Sequence, residues 1–342
     1  MGLGTNQTTI TTSANFIPEV WSDEVLARYK QKLVLANLVT KMSFKGKKGD
    51  TLHLPVPARG SASAKAANTQ VTLIADTATL VDVLINKHFE YSKLYEDIAE
   101  MQALSSMRKF YTDDGGYALA KQVDQDLSLM AHYFNGGNAT PAVTNVWEGG
   151  VIGGDGSTAF DGSVSGNGTA LTDAGLRRAI QTLEDNDINS AELSLTIPPV
   201  EANVLRGIAR FTEQAFVGSG DTIRTGRLGN LYGVEVYQTS NLPWIHVNST
   251  SDETATNFSS TTLTSTGTDS FGLAYDFSGD TDTKFRPCIL MHKDAIAHAE
   301  QQGIRTQSQY KQEYLGTLVT SDTVYGVKTL RTYAGLALIV PA

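Results

Sequence analysis

Hydrophobic residues recur along this chain with two periods, and the changes between them divide it into elements. Trp21, Val25, Tyr29, Leu33 and Leu38 follow Pro18 at approximately helical spacing, with Lys and Arg opposite, which predicts a helix over 18–38. The segment TDDGGYALAKQVDQDLSLMAHYFNGG, from 112, reads as the clearest helix. Thr112 suits its N-cap, Asp113 and Asp114 suit the positive end of the helix dipole, and Asn135-Gly136 stops it. Ala120, Val123, Leu127, Ala131 and Phe134 form its buried stripe, and Asp124 and Asp126 read as surface. Further helices are predicted over 95–104, over 172–187 with Leu176, Ile180 and Leu183 on one face, and from Pro198-Pro199 to Phe211.

Strand-like segments alternate with these helices. LSLTIP (193–198), GVEVYQTSNLP (233–243), PCILMHKDAIAHAEQ (287–301) and the terminal LALIV (336–340) read as strands, whereas the polar extended IRTQSQYKQEYL leads into a helix ending near Gly326. Residues 1–15, rich in Thr, Asn and Gly, read as an arm with little to bury. Lys41 to Asp50 reads as a basic, solvated turn, 136–170 as Gly-rich loop, and 248–270 as an exposed Ser/Thr/Asn insertion. No internal repeat is visible.

One stretch fits neither period. In GDTLHLPVPARGSASAKAANTQVTLIADTATLVDVLI (49–85), Thr51, His53, Pro55 and Pro57 read as an edge strand, and Val71 to Ile85 as its partner. The residues between, Arg59 to Thr69, are small and offer no anchor. That is too long for a hairpin loop of roughly 2–5 residues and predicts a functional arm.

Composition narrows the picture. A chain of 342 residues, 41% hydrophobic, is long enough for two lobes. Nothing in it approaches a membrane span, and MGLGTNQTTITTS lacks the pattern of a signal peptide, so a soluble, unsecreted protein is expected. Cys288 is the only cysteine and reads as a small buried hydrophobe. A net charge of −9 argues against tight nucleic-acid binding, which draws its affinity from Lys and Arg on phosphates; a container for nucleic acid stays allowed.

No catalytic constellation assembles. The G-x-S-x-G, P-loop and dinucleotide patterns are missing, and Gly154-Asp155-Gly156-Ser157 is a turn-like fragment. His292, Asp294 and His298 would share one face of an extended strand, a conceivable metal site, but polar residues on an exposed strand face are the simpler expectation. Glu96, Asp97 and Glu100 read as the solvated first turn of a short helix, and His53, His88 and His132 as packed or surface histidines.

The order of these pieces resembles the major capsid protein of tailed bacteriophages, the Hong Kong 97 fold, and within it the podovirus branch. The likeness is carried by IPEVWSDEVL (17–26), GDTLHLPVPARG (49–60), YALAKQVDQDL (117–127), GVEVYQTSNLP (233–243) and YGVKTLRTYAGLALIV (325–340), and it spans nearly the whole chain. It implies an α+β fold with an N-terminal arm and helix (1–48) and an extended β-hairpin loop (49–90). A peripheral domain (91–171 and 301–342) would hold a spine helix at about 112–135, and an axial domain (172–300) a polar insertion at about 246–285. In that family the loop drapes over a neighbouring subunit, which makes Trp21, Pro55, Pro57, Arg59, Lys65 and Asn68 the expected intersubunit contacts. The resemblance further implies self-assembly through hexamers and pentamers into an icosahedral virion shell, built in the host cytoplasm around double-stranded DNA held without sequence-specific contacts. Portal, scaffolding and decoration proteins would be its partners, with no enzymatic role, cofactor, metal or membrane. One variant of the family joins a loop lysine to an asparagine of another subunit; Lys65 lies in the corresponding region without a flanking signature. The alternative readings are a nanocompartment shell of the same fold, a metal-dependent hydrolase around His292 and His298, and a secreted adhesin.

Overall fold

The computed structural model describes residues 33–43, 49–56, 62, 64–71, 79–98, 107–136, 147, 149–160, 167–208, 229–247, 256–258, 266–268, 274–276 and 283–341. The predicted helix over 18–38 falls largely outside them; its described end is a single turn, α1 (Leu35–Leu38), after which Val39 is extended. The expected turn from Lys41 begins instead as a strand, β1 (Thr40–Ser43). β2 (Thr51–Val56), β3 (Thr79–Leu84) and β4 (Lys87–Glu96) follow. β4 runs through Tyr95 and Glu96, where a helix was expected, because Lys87, Phe89, Tyr91, Lys93 and Tyr95 alternate inward along its whole length.

The long helix α2 spans Met107–Leu129 and ends in a 3-10 turn, Met130–Tyr133. It starts five residues before Thr112, so Thr112 is a helical residue and not the cap. Of the predicted stripe, Val123, Leu127, Ala131 and Phe134 are buried and Ala120 half-buried. Beyond it the chain forms β5 (Val151–Ile152), α3 (Asp173–Glu184), β6 (Leu193–Ile197), α4 (Pro199–Arg206), β7 (Asn230–Leu231), β8 (Val234–Gln238), β9 (Trp244–Val247), β10 (Thr256–Phe258), β11 (Thr266–Thr268), β12 (Ala274–Asp276), β13 (Thr283–His292), β14 (Ile296–Lys311), β15 (Gly316–Thr329) and β16 (Gly335–Pro341). Thr172 caps α3 by accepting the Gly175 amide at 3.0 Å, and Leu176, Ile180 and Leu183 point inward as expected.

Two main sheets result. The first has the order β1-β14-β15-β4, with β1 parallel to β14 and the others antiparallel. β15 replaces the helix expected to end at Gly326. Its Thr and Val residues suit a strand, and pairing on both sides makes it, like β14, an interior strand of the sheet. The second sheet is centred on β13, which pairs with β16 along one side and with β6 and β9 along the other. Cys288 and the run Gly335–Val340 are fully enclosed there. A core between α2 and both sheets holds Leu35, Leu127, Phe134, Trp147, Phe160 and Tyr325, and a second packs α3 and α4 on the β13 sheet.

β2 and β3 form a separate hairpin whose root lies on the first sheet. Val83 and Ile85 bury against Ala297 and Ala299, with Leu52, Leu54, Met42 and Val324 around them. The alanines keep that surface low, and Gly326 lets the hairpin backbone come closer still: a Cβ there would sit 2.3 Å from the Leu84 carbonyl oxygen. Replacing Gly326 by Ala should therefore lift the hairpin root and cost about 1–3 kcal/mol of unfolding free energy. Chemical denaturation measures the loss, and faster amide exchange across 50–56 than across 193–197 would locate it.

Candidate assembly interface and the hub that anchors it

The hairpin presents two faces of different character. Opposed pairs alternate, so Leu52/Val83 and Leu54/Val81 face the sheet, while Thr51/Leu84, His53/Asp82 and Pro55/Leu80 face away. On the outward face Leu80 is 65% exposed and Leu84 47%, flanking a His53–Asp82 pair at 2.5 Å. The tip continues outward with every described residue from Ala64 to Val71 exposed. Within it a turn forms in which the Thr69 amide and hydroxyl both donate to the Ala66 carbonyl, and Asn68 takes φ 62°, a left-handed conformation that asparagine tolerates.

Behind the hairpin, the first sheet is tied to the rest of the molecule by carboxylates of α2. Asp124 is fully buried. One of its oxygens accepts the amides of Leu35 (2.8 Å) and Ala36 (3.3 Å), the open N-terminal end of α1, and the other accepts the Asn241 side-chain amide at 3.2 Å. Asn241 also donates to the Lys121 carbonyl, which joins the segment after β8 to the same helix turn. Burial raises the pKa of Asp124 although each of these donors favours its charged form. Two residues on, Asp126 accepts the Tyr325 hydroxyl of β15 at 2.6 Å and pairs with Lys87 of β4 at 3.2 Å. Burial, then the Asp126 charge, pushes the Tyr325 phenol far up, so it stays a donor. Gly115 lets α2 lie close on β4, since a Cβ would fall 2.7 Å from the Tyr91 ring.

On the solvent side of the same sheet, Asp322 of β15 gathers side chains from both neighbouring strands. Arg305 donates to it through two nitrogens at 2.8 and 3.0 Å, Gln302 at 2.7 Å, and His88 lies at 3.5 Å. The Arg305 bonds lead in holding its carboxyl below the ordinary value. At the far end, Leu94, Ile98, Tyr310, Tyr314 and Leu315 stand 38–66% exposed around the β14–β15 turn, where the Tyr310 hydroxyl donates to Asp97 at 2.8 Å. So large an apolar group on a surface marks a contact.

Solved structures of the same architecture come from phage particles. The chain matches the Mycobacterium phage Che8 structure at 21% identity and a TM-score of 0.65, covering 95% of this chain and 97% of that one. The capsid of the cyanophage P-SCSP1u matches at 17% identity and TM-score 0.67 over 99% and 97%, and the acidic stable capsid of Helicobacter pylori bacteriophage KHP30 at 15% and 0.66 over 99% of both chains. No protein-family model and no curated protein matches the sequence. The chain has the Hong Kong 97-type capsid fold.

Within this capsid fold the residues expected to contact a neighbour divide as follows. Pro55, Lys65 and Asn68 are exposed on the hairpin and its tip, whereas Trp21, Pro57 and Arg59 lie outside the described residues. The conceivable metal face at 292–298 does not form. A 3-10 turn, Lys293–Ala295, breaks the strand, so His292 meets Glu192 at 2.8 Å, Asp294 accepts the Thr40 hydroxyl, and His298 is buried on β14. Among the described residues no group of three His, Cys, Asp or Glu side chains is placed to hold a metal. Glu96 ends β4 rather than opening a helix. Asp124 and Asp126 are buried, not on the surface, and the pattern held a sign of it: Asp124 stands four residues after Ala120 and three before Leu127, in the middle of the buried stripe.

Two expectations follow for this site. Asp124→Ala strands the Leu35 and Ala36 amides and should cost about 1–3 kcal/mol by denaturant titration. Amide exchange at 35–38 should rise while α3 is unchanged. Asp322, with its folded-state pKa below 3.8, contributes stability that is complete above about pH 4 and is lost as the pH falls through the folded value. In Asp322→Asn the melting temperature should accordingly change less than wild type between pH 4.5 and 2.

Proposed function

We propose that this chain is the major capsid protein of a tailed phage of the podovirus type. Copies form hexamers and pentamers that close into an icosahedral head around double-stranded DNA. The observation that carries this reading is an end-to-end match to capsid chains of nearly equal length, alongside an arm whose outward face is left exposed by the described residues. Its role is structural rather than catalytic, exercised in the virion, with portal and scaffolding proteins as partners.

The sheet β1-β14-β15-β4 with α2 is the peripheral domain on this reading, and the β13 sheet with α3 and α4 the axial domain. The elbow Lys293–Ala295 joins them, and β16 belongs with the axial sheet, its pairing partner. The loop 49–90 reaches the next subunit, with Pro55, Pro57, Arg59, Lys65 and Asn68 at the contact and Trp21 on the N-terminal helix beside it. Ordering an arm costs about 1–2 kcal/mol per residue in backbone entropy, which a neighbour's surface offsets and solvent does not. Arg59 and Lys65 are the tip's only charges and face a chain of net charge −9, so the arm meets an acidic surface. Leu94, Tyr314 and Leu315 supply a second, apolar contact between copies.

Charge reversal at both positions, Arg59→Glu with Lys65→Glu, should abolish polyhedral shells in negative-stain micrographs while circular dichroism stays at wild type. Normal shells from the double variant would remove the arm from the assembly contacts. A wild-type chain that remains a monomer or dimer at every concentration would remove the capsid reading itself.

A further inference from the structure

His298 is the one candidate from the sequence that neither the fold nor the proposed shell explains. It sits on β14 opposite Lys41 of β1 on one side and Val327 of β15 on the other. The residue is 8% exposed, and among the described residues neither ring nitrogen has a hydrogen-bond partner. Its ring lies 5.6 Å from that of Tyr325. The charged and titratable groups around it come from every neighbouring element. Lys41 on β1 disfavours a second positive charge and Glu300 on β14 favours one. Tyr325 on β15 has its hydroxyl committed to Asp126 of α2, which also holds Lys87 of β4. Burial outweighs Glu300 and keeps the imidazole neutral.

A proton added here finds no acceptor. The cation would stand uncompensated among β1, β14, β15 and α2 unless the junction opened to water. The element with the least to hold it is β1, four residues long and paired among the described residues only with β14. β1 follows directly on α1, and its Met42 packs at the hairpin root beside Ala297 and Ala299, so whatever loosens β1 disturbs α1 and one wall of that root.

We propose that His298 is an acid-sensitive latch: its protonation releases β1 from β14 and with it the packing of α1 and the Met42 side of the hairpin root. The sign follows from the neutral form being preferred in the fold. The latch is closed above about pH 6.5 and opens as the pH falls, the equilibrium shifting by at most about tenfold per pH unit. This window lies above that of Asp322, so the two titrations separate.

Hydrogen exchange of the full chain tests it, with rates corrected for intrinsic pH dependence and 193–205 as internal reference. Between pH 7.5 and 5.0, exchange across 34–43 should accelerate at least about fivefold and the reference should not. In His298→Phe, or in His298→Gln if the first does not fold, the acceleration should vanish while exchange at pH 7.5 stays near wild type. No acceleration in wild type, or one that survives in either variant, overturns the latch. Should neither variant fold, the onset in wild type decides: acceleration that sets in as the pH falls below the ordinary imidazole value of about 6.5 supports the imidazole, and acceleration that sets in only at the ordinary carboxylate value of about 4 overturns it.

Discussion

The carboxylate of Asp124 is the constraint from which much of this structure follows. It is an acid buried in the middle of a helix, where an unpaired charge would be prohibitive, and it is tolerated because three donors from two distant segments converge on it. Those donors are separated from it by 89, 88 and 117 residues. The helix thus ties together segments that are remote from it in sequence. Removing the acid frees the Leu35 and Ala36 amides of α1, and removing the donors leaves a buried acid without partners, so α2, α1 and the β8–β9 connection depend on one another.

Asp126 extends the same logic to the first sheet. Through Tyr325 and Lys87 it binds the interior strand and the edge strand that lie on opposite sides of one ladder. Polar contacts specify where α2 sits on the sheet, and apolar burial around Leu127, Phe134 and Tyr325 supplies the bulk of the driving force. The hairpin depends on this arrangement at one remove: its root rests on Ala297, Ala299 and Gly326, strand positions fixed by the ladder that Tyr325 anchors.

Much of the architecture was legible in the chain because it rests on local chemistry. The stripe of Leu176, Ile180 and Leu183 gives α3 and its inward face, and the small residues between Arg59 and Thr69 mark an arm with no core of its own. The failures share a cause of another kind. GTLVTSDTVYGVKT is polar enough to pass for a solvated helix, and only the partners on both sides, β14 and β4, make it an interior strand. Asp124 and His298 looked like surface residues because charge and polarity are the usual signs of exposure, and their burial is set by segments far away in sequence. Turn residues such as Lys293 to Ala295 likewise give no hint that two strands of different sheets meet there.

The molecule thus places buried carboxylates where α2 meets α1, β4 and β15 and leaves the hairpin's outer face without any. Inside, carboxylates with several donors each specify one arrangement. Outside, Leu80, Leu84 and the flanking His53–Asp82 pair stand uncovered among the described residues, and the tip from Ala64 to Val71 is exposed. A subunit that must be well defined alone but completed by its neighbours calls for this division. Specificity is settled within the chain, and apolar area is kept for the contact between chains, where its burial costs no competing interaction in the free subunit.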